Sequence, residues 1–460
     1  MQASLQNARR FSAPFFLALL LTACGGGDGD KEKFDGDRIS VLSFEAALRA
    51  DPRLQDQAVS VIPAFRNSSW NNPGGFASHA AYHLELDGLK EAFRVDAVDG
   101  NSGLTRIKSV PVVADNKVFA MGAALDVTAV DAKTGDKIWT RSVMAEYTEP
   151  NRSLTRFLGI SDKPAPQRDG FGGGIAYDSG LLFVTTGFGE LLALNAQTGE
   201  IVWRTQSAVA FSNAPTVRAG RLYVASQDSR LQAYSVEDGV LLWDHSAIDE
   251  GATIMGATSA AVNEQVVVAG FNSGEVVALS PVNGQVAWSE SLTSRGTQVT
   301  PLSQLNAIVG RPVIDRDRVY VTSHGGRTAA IDLRSGERIW TTDIGSIETP
   351  WTIGDFVLVM SLEGELVALS REQGRVRWLT NLPAFKEPED REGRINYAGP
   401  IMAGGRIILA SSDGRVLSLD PATGELLDTV NIDASVSVAP VVADGTLYIL
   451  SDDGALIALR

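Results

Sequence analysis

The sequence predicts an all-β fold: an eight-bladed β-propeller of four-stranded antiparallel blades, closed by an N-terminal strand. Two observations carry this prediction. A glycine followed four residues later by tryptophan recurs six times, and six of the eight tryptophans occupy that slot. These are Trp139, Trp203, Trp243, Trp288, Trp340 and Trp378, preceded by Gly135, Gly199, Gly239, Gly284, Gly336 and Gly374. A further copy, Thr423-Gly424, has Asp428 in the tryptophan slot. Spacing is the second observation. Successive glycines of the seven copies lie 64, 40, 45, 52, 38 and 50 residues apart, which is the period of propeller blades.

Each unit has the same internal grammar. Between Ile175 and Trp203 a short apolar run comes first, then a polar turn at Asp178-Ser179-Gly180. An alternating strand at 181–185, a glycine turn and a strand at 190–194 follow. The Asn195-x-x-Thr198-Gly199 turn then leads into the strand that carries Trp203. Four short strands joined by Gly/Asn/Asp turns form an antiparallel meander. Such sheets repeated radially make a propeller, which exposes only short edges. Inner strands are expected to begin near residues 110, 175, 214, 259, 311, 350, 399 and 439. The last set lacks its own tryptophan strand. Residues 89–97, with Phe93 near the tryptophan slot, are expected to supply the outer strand of that blade and so close the ring. Tryptophans at a fixed blade position are expected to be buried between neighbouring blades, not to form sugar-binding platforms.

Upstream of the blades, residues 1–23 read as a secretion signal. Arg9 and Arg10 are followed by a short apolar run, Phe15 to Leu21. That run is too short to span a bilayer core. Leu21-Thr22-Ala23-Cys24 resembles the lipobox of bacterial lipoproteins, which implies lipid attachment at Cys24. Many lipoproteins kept at the inner membrane carry Asp just after the cysteine; Gly25 and Gly26 stand there here, so the resemblance implies the outer membrane, on its periplasmic face. Residues 24–60 are expected to form a lipidated tether and an N-terminal surface segment, and residues 61–460 the propeller. The stretch 38–48 has strand-like and then helical character.

Cys24 is the single cysteine, so an intrachain disulfide and a multi-cysteine metal site are both excluded. The net charge of −15 disfavours nucleic acid as a partner. His79 and His83 have i,i+4 spacing but no third ligand nearby in sequence, so hydrogen-bonding or surface roles are expected. Ser411-Ser412-Asp413-Gly414 and Ser451-Asp452-Asp453-Gly454 occur at one blade position, which suits hairpin turns better than calcium loops. Gly172-Gly173-Gly174 lacks the helix and the Lys-Ser/Thr of a phosphate loop. No catalytic, cofactor or metal residues are assigned.

The segment Ala129-x-Asp131-x-x-Thr134-Gly135-x-x-x-Trp139 resembles the docking motif of PQQ-like propeller repeats. Two families share that motif: quinoprotein dehydrogenases, and the BamB lipoproteins of the outer-membrane β-barrel assembly (BAM) machinery. The resemblance to the second covers lipobox, tether, repeats and length. Residues 67–75, NSSWNNPGG, also resemble a pre-propeller motif of one branch of it. The resemblance implies a non-catalytic scaffold without cofactor. Its implied partners are the POTRA domains of BamA, other BAM subunits and nascent outer-membrane proteins. The implied partner loops are residues 250–259 and 297–311. Met255 falls where the best-known branch has arginine, and residues 306–309 fall where it has acids. Contact would therefore rest on exposed apolar residues, Ile254, Met255, Leu305 and Ile308; the competing reading is that these loop residues pack on their own blade. A quinoprotein dehydrogenase is the enzymatic alternative, but the vicinal disulfide typical of that family is excluded here. A glycan-binding propeller is a third reading.

Overall fold

The computed structural model describes residues 48–54, 59–103, 105–144, 172–211, 213–247, 258–293 and 306–460. Cys24, Ile254, Met255 and Leu305 lie outside the described residues, as does all but the last residue of 38–48.

Eight four-stranded antiparallel sheets follow one another along the chain. Their inner strands are Val112–Ala114, Gly173–Asp178, Thr216–Arg218, Ala261–Val262, Val313–Asp315, Trp351–Ile353, Tyr397–Ala403 and Val441–Ala443. We number the blades 1 to 8 in that order. The last blade is composite: its outer strand is Glu91–Asp96, paired antiparallel with Ala455–Leu459. The ring is thus closed by the strand expected around Phe93.

The tryptophan slot has one construction throughout. In every tryptophan-bearing blade the tryptophan pairs across the ladder with an alanine: Ala129, Ala193, Ala233, Ala278, Ala330 or Ala368. A bulge lies directly beside that pair. Each indole N–H then donates to a carbonyl in the next blade's outer turn, at 2.8–3.2 Å. Its ring lies on the glycine of that turn. A Cβ added at Gly336 would meet Trp288 Cγ at 2.6 Å, and Gly336 has φ +77°. Glycine is needed there twice over, for the left-handed backbone and for the close approach. Trp243, Trp288, Trp340 and Trp378 are buried, whereas Trp139 and Trp203 are half-buried.

Blade 8 copies this arrangement with a smaller ring. Phe93 pairs with Ala458 and lies on Gly135 of blade 1. Blade 7 departs from it at both positions, with Asp428 opposite Ser418. The reason is topological. Blade 7 faces blade 8, whose third and outer strands are not consecutive in the chain. No Thr-Gly hairpin joins them, so an indole from blade 7 would have no glycine turn to lie on.

Candidate functional site

The segment before Glu91 braces the ring. Residues 67–87 run around the inner strands and touch all eight. Trp70 exchanges backbone hydrogen bonds with Val113 of blade 1 at 2.7 and 3.0 Å. The Asn71 carbonyl accepts from Tyr177 N–H of blade 2, and Asn72 Oδ1 from Val217 N–H of blade 3, both at 2.8 Å. The carbonyls of Ala77 and Ser78 accept from Val262 and Ile314 of blades 4 and 5. Trp351 Nε1 of blade 6 donates to the Tyr82 carbonyl at 2.7 Å. Leu84 binds Met402 and Gly404 of blade 7, and Asn67 Nδ2 donates to Val442 O of blade 8 at 2.7 Å. Buried N–H and C=O groups need partners, and this plug supplies them at one end of the channel.

Residues 67–75 shape the plug. Gly75 N–H closes a tight turn on Asn72 O, with φ +83° at Gly75, where a side chain would also meet Trp70. Trp70 stacks on Trp351 with ring centroids 6.4 Å apart. These are the two tryptophans outside the blade slot.

Both histidines of the His79/His83 pair belong to the plug, not to a helix. His79 is 2% exposed, and its Nδ1–H donates to the Pro312 carbonyl at 2.8 Å. Burial, reinforced by the Arg311 charge, pushes its pKa down to about 3. His83 Nδ1–H donates to Ile62 O at 2.7 Å, and its Nε2 accepts from Gly405 N–H at 2.9 Å. Among the described residues no cluster of three or more His, Cys, Asp or Glu could hold a metal.

His79 borders a small axial cavity of about 30 Å³, shared with Trp70, Arg311, Glu348, Thr349 and Gly399. That is space for about two waters. Arg311 Nη1 donates to Thr349 Oγ1 at 3.2 Å, and Gly399 N–H approaches Glu348 Oε2 at 3.4 Å. Burial raises the Glu348 carboxyl to about 7, against the opposing pull of the Gly399 N–H and the Arg311 charge. Burial likewise lowers Arg311, with Glu348 opposing. Nothing in the sequence singles out this pair. Charged residues in a connecting segment read as surface, and only the ring places them on the axis.

The structure corrects the expectation for Ile308. It is 1% exposed and packs on blade 4, with its N–H donating to Phe271 O at 3.1 Å. A side chain at Gly270 would overlap it, so the bare glycine forms its seat. Ile308 is a packing residue and presents no surface to a partner. The acidic turns are local hairpins: Ser411 Oγ binds Asp413, and Ser451 Oγ binds Asp453. Gly173 and Gly174 open an inner strand.

Most of the exposed large apolar side chains among the described residues lie on the blade rim. Just before the tryptophan slot the outer strands show Ile138, Ile201 and Val202, Leu241 and Leu242, Val286, Ile339, and Leu426 and Leu427, each 39–55% exposed. Every one of these strands has a free edge.

The sequence profile described as outer membrane protein assembly factor BamB matches residues 126–380 and 387–460, more than half of the chain. The chain belongs to the BamB family. Its relatives include the outer membrane protein assembly factor BamB of Yersinia pestis, 26% identical over 76% of this chain and 83% of that protein. The Xanthomonas campestris BamB is 26% identical over 84% of this chain and 90% of its own length. Among solved structures, BamB from Moraxella catarrhalis superposes with a TM-score of 0.64 at 18% identity, over 81% of this chain and 99% of that one. The quinohemoprotein alcohol dehydrogenase of Comamonas testosteroni gives 0.59 at 16% identity, over 84% and 77%. At these identities the two structures report the shared propeller fold alone. The BamB family is set apart by the sequence profile.

Proposed function

We propose that this BamB-family chain is a non-catalytic scaffold subunit of the outer-membrane β-barrel assembly machinery. A lipid on Cys24 anchors it to the outer membrane at the periplasmic face. It binds the POTRA domains of BamA and aids delivery and insertion of nascent outer-membrane proteins. Family membership supports the assembly role. The observation that carries the scaffold reading is the rim of free-edged outer strands bearing exposed apolar residues. Native proteins usually blunt such edges with charge or cover. Here they suit transient strand addition by an unfolded β-rich client, with main-chain hydrogen bonds giving affinity. Of the four apolar residues expected to face BamA, Ile254, Met255 and Leu305 remain the candidates.

Pull-down of the solubilised native protein in gentle detergent is expected to recover BamA. An empty pull-down would overturn the scaffold assignment. Cys24→Ser is expected to release the protein into the periplasmic fraction or to trap its precursor. Unchanged membrane association would refute the anchor. A quinoprotein enzyme has the shared fold as its support, and it predicts saturable binding of PQQ with calcium. The scaffold reading predicts a flat titration.

A further inference from the structure

Where the plug crosses blades 4 and 5, a cleft of about 530 Å³ opens to solvent. Phe65, Phe76, Val262 and Leu333 give it an apolar lining. The Phe65 and Phe76 rings tilt toward each other at 6.2 Å, and Phe76 stays 38% exposed. Its size lies in the range of ligand pockets, which run from roughly 300 to 1,000 Å³.

Two arginines, Arg218 and Arg316, line it together with one carboxylate, Glu264, so the charge of its lining is net positive. Among the described residues the nearest carboxylate to Arg316 is Asp315, 3.8 Å away. Asp315 is fully buried and already engaged: the Arg371 guanidinium binds one oxygen, and Tyr82 O–H donates to the other at 2.9 Å. Arg316 itself is 52% exposed. Among the described residues Arg218 pairs with Glu264 alone, at 3.3 Å, and that side chain is 88% exposed. Such a solvent-facing pair is weak and readily exchanged. On a chain of net charge −15, this cleft combines uncovered aromatic surface with available guanidinium groups.

We propose that the cleft docks an acidic peptide segment with one aromatic or branched apolar anchor. The anchor enters beside Phe65, Phe76 and Leu333. Carboxylates flanking it accept hydrogen bonds from Arg218 and Arg316, whose planar forks match carboxylate geometry. Charge complementarity selects this occupant, because a basic segment would meet two guanidinium groups at close range. Phe65 and the plug supply nearly half of the lining, so the docking surface exists only where that segment is seated on the blades. The inference stands apart from the assembly role and survives if that role fails.

The test uses the full chain in detergent and a fluorescein-labelled peptide with one phenylalanine flanked on each side by two aspartates. Fluorescence polarisation is expected to show saturable binding, with the lysine-flanked counterpart at least about tenfold weaker. Loss of a charge-assisted hydrogen bond predicts that Arg316→Glu weakens binding by roughly tenfold or more. Phe76→Ser is expected to do the same through the anchor. Thermal melting of both variants should match the parent, since both side chains are exposed. No saturable binding, equal binding of the lysine peptide, or binding untouched by both variants would overturn the proposal. So would self-association of the chain that is lost in Arg316→Glu without any peptide binding.

Discussion

Replacing Gly336 by alanine isolates the contact that repeats around the ring. Two costs combine at this position. Alanine at φ +77° costs about 1–2 kcal/mol through backbone strain. Its Cβ would also fall 2.6 Å from Trp288 Cγ, which forces the indole or the turn to move. Overpacking of this kind costs roughly 1–3 kcal/mol. Gly220 separates the two terms, because its φ is +75° and nothing lies within 4 Å of an added Cβ. Gly220→Ala should therefore show the strain alone, and Gly336→Ala should exceed it by roughly 1–3 kcal/mol. Urea unfolding read at a common m-value measures the difference. In a double-mutant cycle, Trp288→Ala should relieve the clash, so the two changes combine to less than their sum. Equal destabilisation by the two glycine variants, within about 0.5 kcal/mol, would refute indole-on-glycine docking as the force holding adjacent blades.

Three further perturbations test the closure and the axis. Phe93→Ala, at the half-buried ring position of blade 8, should cost about 2–3 kcal/mol, and limited proteolysis should then cut first near Glu91–Asp96. Asp428→Trp should change stability by less than about 0.5 kcal/mol, because blade 8 offers no glycine turn, and a large gain in the unfolding midpoint would contradict the account of the seam. Glu348 holds its proton more tightly folded than unfolded, with its pKa raised from 4.5 to about 7. Its contribution is therefore fully present below pH 4.5 and is lost as pH rises through 7. Glu348→Gln should gain stability relative to the parent between pH 5 and pH 8, by at most about 3 kcal/mol, and a pH-independent difference in unfolding midpoints would sink that expectation.

The blades were legible because their chemistry is local. A glycine turn and a tryptophan four residues on specify a left-handed backbone and the ring that covers the neighbouring one. Phe93 was legible for the same reason, since an aromatic near that slot completes the only blade without a tryptophan strand or its Asp428 substitute. The plug was not. Its bonds come largely from main-chain groups, with single side chains such as Asn67, Asn72, His79 and His83 added at irregular spacing, which leave no periodicity to count. Ile308 misled because an isoleucine in a connecting segment reads as exposed, while its seat is a side chain missing from Gly270. The axial pair failed in the opposite sense: Arg311 and Glu348 belong to residue types usually found in water, and only ring closure brings them, half-buried, to one small cavity.

The brace also fixes an order of events during folding. Arg66 Nε donates to Asp444 Oδ1 at 2.7 Å across a separation of 378 residues. Closing an unstructured loop of that length costs on the order of 5 kcal/mol in chain entropy. Once seven blades have formed the loop is largely gone, and the same closure costs far less. The strand that precedes the blades in the chain, Glu91–Asp96, is therefore the one that settles last, waiting for Ala455–Leu459 to offer it an edge. Until then one strand edge stays open at each end of the unfinished ring, and a nascent molecule of this chain is itself a candidate for the strand pairing that its finished rim invites.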